Sequence, residues 1–184
     1  MKSHKAIAKG LILLLPCTIS NAQSRTGKDR ADTVAGEIRI VQISVKKTEV
    51  RLSDKTILTV VKKRLPRRTD FNEISIYDVV KHRMPPFDQV VIFNNWAEHF
   101  TGCGPGVFFL GLKKNGTYRF SRSTPNCIDR KIEIKKDRVV IEAVADVHTT
   151  EYMYFPIPGG KWVYRNGVLH TVKLIILPDP RAKR

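Results

Sequence analysis

The sequence predicts an all-β fold, an antiparallel meander closing as a barrel or a sandwich with one disulfide-stapled hairpin. Short alternating or apolar runs follow one another closely, and no stretch holds the 3.6-residue period of a helix. Two Asn-Gly dipeptides, Asn115-Gly116 and Asn166-Gly167, each sit between two such runs, and Asn-Gly tolerates the positive φ angles of a type I′ hairpin turn. Cys103 and Cys127 flank the first of these hairpins. Facing strands bring Cα atoms to the ~5–6 Å that a disulfide requires.

The chain opens on a targeting pattern. Lys2, Lys5 and Lys9 supply positive charge, residues 10–16 (GLILLLP) form a short apolar core, and Ser20-Asn21-Ala22 places small residues before a cut after Ala22. Residues 1–22 are therefore expected to be a signal peptide of bacterial type, and the apolar run is too short to span a bilayer. Cys17 follows Leu14-Leu15-Pro16 rather than the small residues that precede a lipidated cysteine, which argues against lipidation without settling it. The mature protein is expected to be periplasmic or secreted. Two remaining cysteines in an oxidising compartment fit one disulfide. A metal or redox pair is the alternative, but there is no CxxC and no clustered ligand around them.

Residues 23–35 are polar and aperiodic and read as a flexible leader. Residues 36–178 form the expected single β-domain, long enough for a real core. Its first strand covers 37–46, with a change of phase near Ile40-Val41 that suggests a bulge. Strands at 49–52 and 55–62 are separated by Ser53-Asp54. Residues 62–68 (KKRLPRR) make a basic loop that Pro66 keeps out of regular structure. Residues 71–81 are rich in β-branched side chains and read as a strand rather than a short helix. A turn holding Pro85-Pro86 leads to a short buried strand at 88–93.

The stapled hairpin follows, with strands at 106–113 and 117–121. If Lys114 faces Thr117, Cys103 lies opposite Ile128, one residue beyond Cys127, so a bulge near 104–106 or 124–125 is needed to align the pair. Closing this loop contributes about 3 kcal/mol in the chain-entropy model. Further strands are expected at 131–135, 138–144, 152–157, 161–165 and 168–174. Residues 181–184 are a basic tail, with the domain ending near 178.

The segment Gly102-Cys103-Gly104-Pro105, its aromatic strand and polar turn, then Pro125-Asn126-Cys127-Ile128-Asp129 and the late hairpin at 162–167 (WVYRNG), resembles small exported disulfide-containing β-proteins of Gram-negative bacteria. The likeness runs from Asn94 to Leu169 and implies fold and location, with no activity attached.

The chemistry-bearing residues form no recognisable constellation. His82, His99, His148 and His170 lack helical metal spacing, and no HExxH or GxSxG occurs. The glycines of 102–106 lack the Lys-Ser/Thr ending of a phosphate cradle. Strand carboxylates such as Glu37, Glu49, Glu133 and Glu142 read as solvent-facing by alternation. No catalytic residue, cofactor or metal is assigned, and a hydrolase site assembled from loops stands as a third reading.

Charge is the clearest clue to partners. Lys and Arg number 33 against 17 Asp and Glu, a formal net charge of +16 that falls to +13 once residues 1–22 are removed. Lys62, Lys63, Arg64, Arg67 and Arg68 form the densest cluster and are the candidate anion- or partner-binding residues. Trp96, His99 and Tyr118 are candidates for a recognition surface, though core packing is the stronger reading for the aromatics near the hairpin. A non-catalytic envelope protein recognising another protein, of immunity or inhibitor type, is the leading expectation. The alternative is an electrostatic binder of an anionic envelope glycan or lipid. Nucleic acid is disfavoured in an exported chain.

Overall fold

The computed structural model describes residues 28–44, 46–61, 64–65, 68–69, 72–97, 106–125, 130–149 and 154–178. Among them every paired strand is antiparallel, and there is no helix. The proposed signal peptide, Cys103 and Cys127, and the tail lie outside the described residues.

Four strands, β1 (Arg30–Thr33), β2 (Gly36–Ser44), β3 (Lys47–Leu52) and β4 (Lys55–Val61), form the first sheet in chain order. β1 falls inside the stretch expected to be a flexible leader. Its polar residues suit a sheet edge, where strand formation needs only β2 as a backbone partner, and the preceding Lys28 bridges to Ile76. The β2 irregularity falls between Gln42 and Ser44, later than the apolar phase change suggests. Ser53, at φ 52°, turns the chain from β3 to β4.

Within the basic stretch, β5 (Arg64–Leu65) pairs with β6 (Arg68–Thr69). This corrects the expectation of irregular structure. Pro66 itself lies outside the described residues.

β7 (Asn72–Val80), β8 (Gln89–Ala97), β9 (Gly106–Leu112) and β10 (Tyr118–Phe120) form the second sheet, again in chain order. The third takes β11 (Arg130–Ile134) and β12 (Val139–Ala143), omits the separate ribbon of β13 (Asp146–Thr149) with β14 (Tyr154–Ile157), and resumes with β15 (Gly159–Arg165) and β16 (Val168–Ile175). The meander is thus interrupted by one hairpin excursion.

The second sheet is the middle layer. One face of it, through Ile74, Ile76, Val91, Phe93, Phe108, Leu110 and Leu112, meets Ile38, Val50 and Leu52 of the first sheet. The opposite face, through Val80, Val90, Ile92, Val107 and Phe109, meets Val139, Ile141, Trp162 and Tyr164 of the third. Where the sequence predicts a meander closing as a barrel or sandwich, the described residues form three stacked sheets, with no closed barrel among them. The reason is legible in composition. Residues 90–93 (VVIF) and 107–110 (VFFL) are apolar at consecutive positions, so alternation sends large side chains to both faces and both need cover. Every residue of β9 is buried. Phe108 stacks on Phe93 with ring centroids 4.9 Å apart, while its neighbour Phe109 stacks on Tyr164 at 4.3 Å across the other interface. Each such side chain contributes roughly 1.5–3 kcal/mol by burial.

The two Asn-Gly turns differ. Asn166 and Gly167 both take positive φ, as a type I′ turn requires. At the first, only Gly116 does; its N–H donates to the Lys113 carbonyl and the Lys113 N–H to the Thr117 carbonyl. That is a three-residue loop built on a type I turn and closed by a glycine bulge. Lys113, not Lys114, faces Thr117, so the loop is one residue longer than expected and the β9–β10 register is shifted by one. Beyond Phe120 the ladder is continued by hydroxyls. Phe109 N–H donates to Ser121 Oγ and Val107 N–H to Thr124 Oγ1. The Ser121 and Thr124 amides return bonds to the Phe109 and Val107 carbonyls. Two strand residues on one side span three on the other, so the slip removed at the turn reappears at 122–123.

A candidate recognition surface

The third sheet ends on β16, an edge strand that nothing covers among the described residues. Its sequence, VLHTVKLI, alternates poorly, and six of its eight residues are exposed. Val172 is 60 % exposed, Leu174 51 % and the following Ile176 58 %. Ladder pairing to β15 skips a position between Lys161 and Trp162, leaving Val172 as the unpaired residue of a bulge. Natural edges are blunted by brevity or charge. β1 and β10 are short, and β11 is the charged run Arg-Lys-Ile-Glu-Ile. β4 and β7 are long edges that expose one large apolar side chain each, Val61 and Tyr77, and β7 is bridged by Lys28 at Ile76, whereas β16 exposes Val168, Val172 and Leu174 along its length.

Beside this edge lies a shallow groove of about 660 Å³ whose walls include Lys131, Glu142, Val144, Lys161, Lys173 and Ile175. The ladder explains its charge. Lys131 faces Glu142, Glu142 faces Lys161, and Lys161 faces Lys173, so four side chains form one row across β11, β12, β15 and β16. Three are lysines. Glu142 Oε1 accepts from Lys161 Nζ at 2.7 Å, and that bond, aided by the charges of Lys161, Lys131 and Lys135, holds the Glu142 carboxyl below its ordinary range. The row holds one carboxylate and three ammonium groups, which leaves it positive. Val144, 79 % exposed, adds apolar surface to the groove.

The residues singled out from sequence are dispersed. Arg64 and Arg68 lie on the β5–β6 ladder, while Lys62, Lys63 and Arg67 lie outside the described residues. Trp96 stands opposite Glu73 on the β7–β8 ladder, and His99 lies outside the described residues. Tyr118 is half-buried, edge-on to Phe120 at 6.0 Å, and both pack against the core between the first two sheets. Tyr118 therefore serves packing in this arrangement. His170 is exposed on β16, and His82 bonds through Nε2 to the Lys135 carbonyl at 3.0 Å, tying the turn after β7 to the β11–β12 turn. Among the described residues, no group of three or more His, Cys, Asp or Glu could hold a metal ion. No helix among the described residues is long and apolar enough to cross a membrane.

Two polar clusters escaped the sequence reading. Glu49, expected to face solvent, is buried on the first sheet. Lys47 Nζ approaches its Oε1 at 2.7 Å and Arg51 its Oε2 at 2.8 Å, with Thr56 Oγ1 donating at 3.1 Å. Those partners, Lys47 foremost, pull the carboxyl down to about 2. The signal was present as Lys-x-Glu-x-Arg, because residues two apart share one strand face. The second cluster could not be read locally: buried Asn94 accepts from Arg130, 36 residues away, at 2.6 Å, and lies 3.4 Å from Ser75 Oγ.

No protein-family model, curated protein or solved structure matches the chain.

Proposed function

We propose that this chain is an exported, non-catalytic binding protein of the bacterial envelope that recognises another protein, in the manner of an immunity or inhibitor protein. The observation that carries the recognition reading is the uncovered apolar edge of β16, since exposed contiguous apolar surface marks interaction sites. The export reading rests on residues 1–22 and the cysteine count. A pull-down of the mature protein from its own envelope extract, eluted with rising salt, tests it. One stoichiometric protein retained at high salt supports the reading, and an empty column overturns it.

A second reading, an electrostatic binder of an anionic envelope glycan or lipid, draws on the +16 charge and the basic stretch at 62–68. Glycan or lipid released at modest salt, without a protein, would favour it, because screening dissolves contacts between exposed charges.

A further inference from the structure

The geometry points to strand addition: β16 takes an extended acidic segment of the partner as a fifth strand of the third sheet, with carboxylates of that segment on Lys173 and Lys161, the end of the basic row nearest that edge. This rests on the protein-recognition reading and names the chemistry of its site. An edge strand presents unpaired backbone donors and acceptors, so an incoming strand gains main-chain hydrogen bonds whatever its sequence. Specificity then comes from alternate side chains. On β16 these are Lys173, aligned with Lys161 in the basic row, and its exposed apolar neighbours Val172 and Leu174.

The occupant's charge follows from that row. Glu142, the one carboxylate of the row, is flanked by Lys131 and Lys161 and already accepts from Lys161, while Lys173 faces only Lys161, so an acid arriving at the β16 edge finds a cation with little local compensation. A second copy of this chain is a poor occupant. It would bring its own β16, with Lys173, beside its twin on a chain of formal charge +16. A partner with alternating acidic and apolar residues meets both demands at once.

The test uses labelled synthetic peptides about eight residues long, matching one strand. One alternates Glu and Val, one alternates Lys and Val, and a third repeats the acidic sequence with its backbone nitrogens methylated throughout, so that none facing β16 can donate. Binding to the mature protein is read by fluorescence anisotropy, and hydrogen exchange is followed along β16. We expect the acidic peptide to bind about tenfold or more tightly than the basic one, and methylation to weaken it by a similar factor. The alternate amides of residues 168–175 that face away from β15 should gain protection. Lys161→Glu with Lys173→Glu should reverse the preference between acidic and basic peptides.

Equal binding of the methylated peptide would overturn strand addition, since only the main-chain hydrogen bonds differ. Equal binding of acidic and basic peptides would overturn the charge assignment. If an envelope protein is retained at high salt but neither competes with the acidic peptide nor protects β16, this inference fails and the protein-recognition reading stands. If the acidic peptide binds and protects β16 while the extract yields no protein, the edge assignment holds and the wider reading falls.

Discussion

The ring of Phe87 lies directly against the backbone of Gly111: a β-carbon at position 111 would come within 2.2 Å of the ring. The same ring reaches Gly167 in the β15–β16 turn, where a β-carbon would meet it at 2.7 Å. Phe87 follows the cis Pro85-Pro86 bond and is 5 % exposed. One side chain from a turn thus fastens the middle sheet to the third, and both glycines are required by its volume.

Gly111→Ala is therefore expected to destabilise the domain by about 1–3 kcal/mol through overpacking. Phe87→Ala should cost about 3–5 kcal/mol by leaving a cavity. Urea unfolding of each variant measures both. In the double variant the smaller residue at 87 relieves the clash, so the two losses should add to less than their sum.

The two hairpin glycines separate conformational strain from packing. Gly116 and Gly167 share positive φ, but a β-carbon at 116 has nothing within 4 Å. Gly116→Ala should cost about 1 kcal/mol, the strain term alone. Gly167→Ala adds the Phe87 contact and should cost measurably more. Equal losses in thermal unfolding would refute the role assigned to Phe87 there.

Acid should act through Glu49. Its folded carboxyl sits at about 2 against an ordinary 4.5, so the folded state binds its proton more weakly than the unfolded chain. The associated stability is fully present above the ordinary carboxylate range and is lost as pH falls from about 4.5 toward 2. Glu49→Gln should flatten this part of the stability–pH curve, measured by denaturant midpoints at stepped pH, while leaving the neutral-to-alkaline limb unchanged in shape.

Arg130→Ala should strand the buried Asn94 carbonyl oxygen. A buried acceptor without its donor costs about 1–3 kcal/mol. Arg130→Ala with Asn94→Leu removes both partners and should recover part of that loss; a double variant as unstable as the sum of the singles would show that the contact carries no coupling.

Between them, the alternating runs and turn dipeptides determined the longer strands, though not β1, β5, β6 or β13, together with the antiparallel hairpins and the type I′ turn at Asn166-Gly167, because these depend on periods and φ preferences a few residues long. Consecutive apolar residues such as Phe108-Phe109 also demanded cover on both faces. They did not say what would provide it. That the first and third sheets cover opposite faces of the second was decided by tertiary packing, since Ile38 and Trp162 reach one middle sheet from positions more than a hundred residues apart. The same holds for the surface. Lys131, Glu142, Lys161 and Lys173 look like unrelated solvated charges in the chain, and only the ladder across four strands makes them one row. The basic cluster at 62–68 was conspicuous because its charges are adjacent in sequence. The edge of β16 was not, because which strand is left unpaired is fixed by the order of the whole sheet.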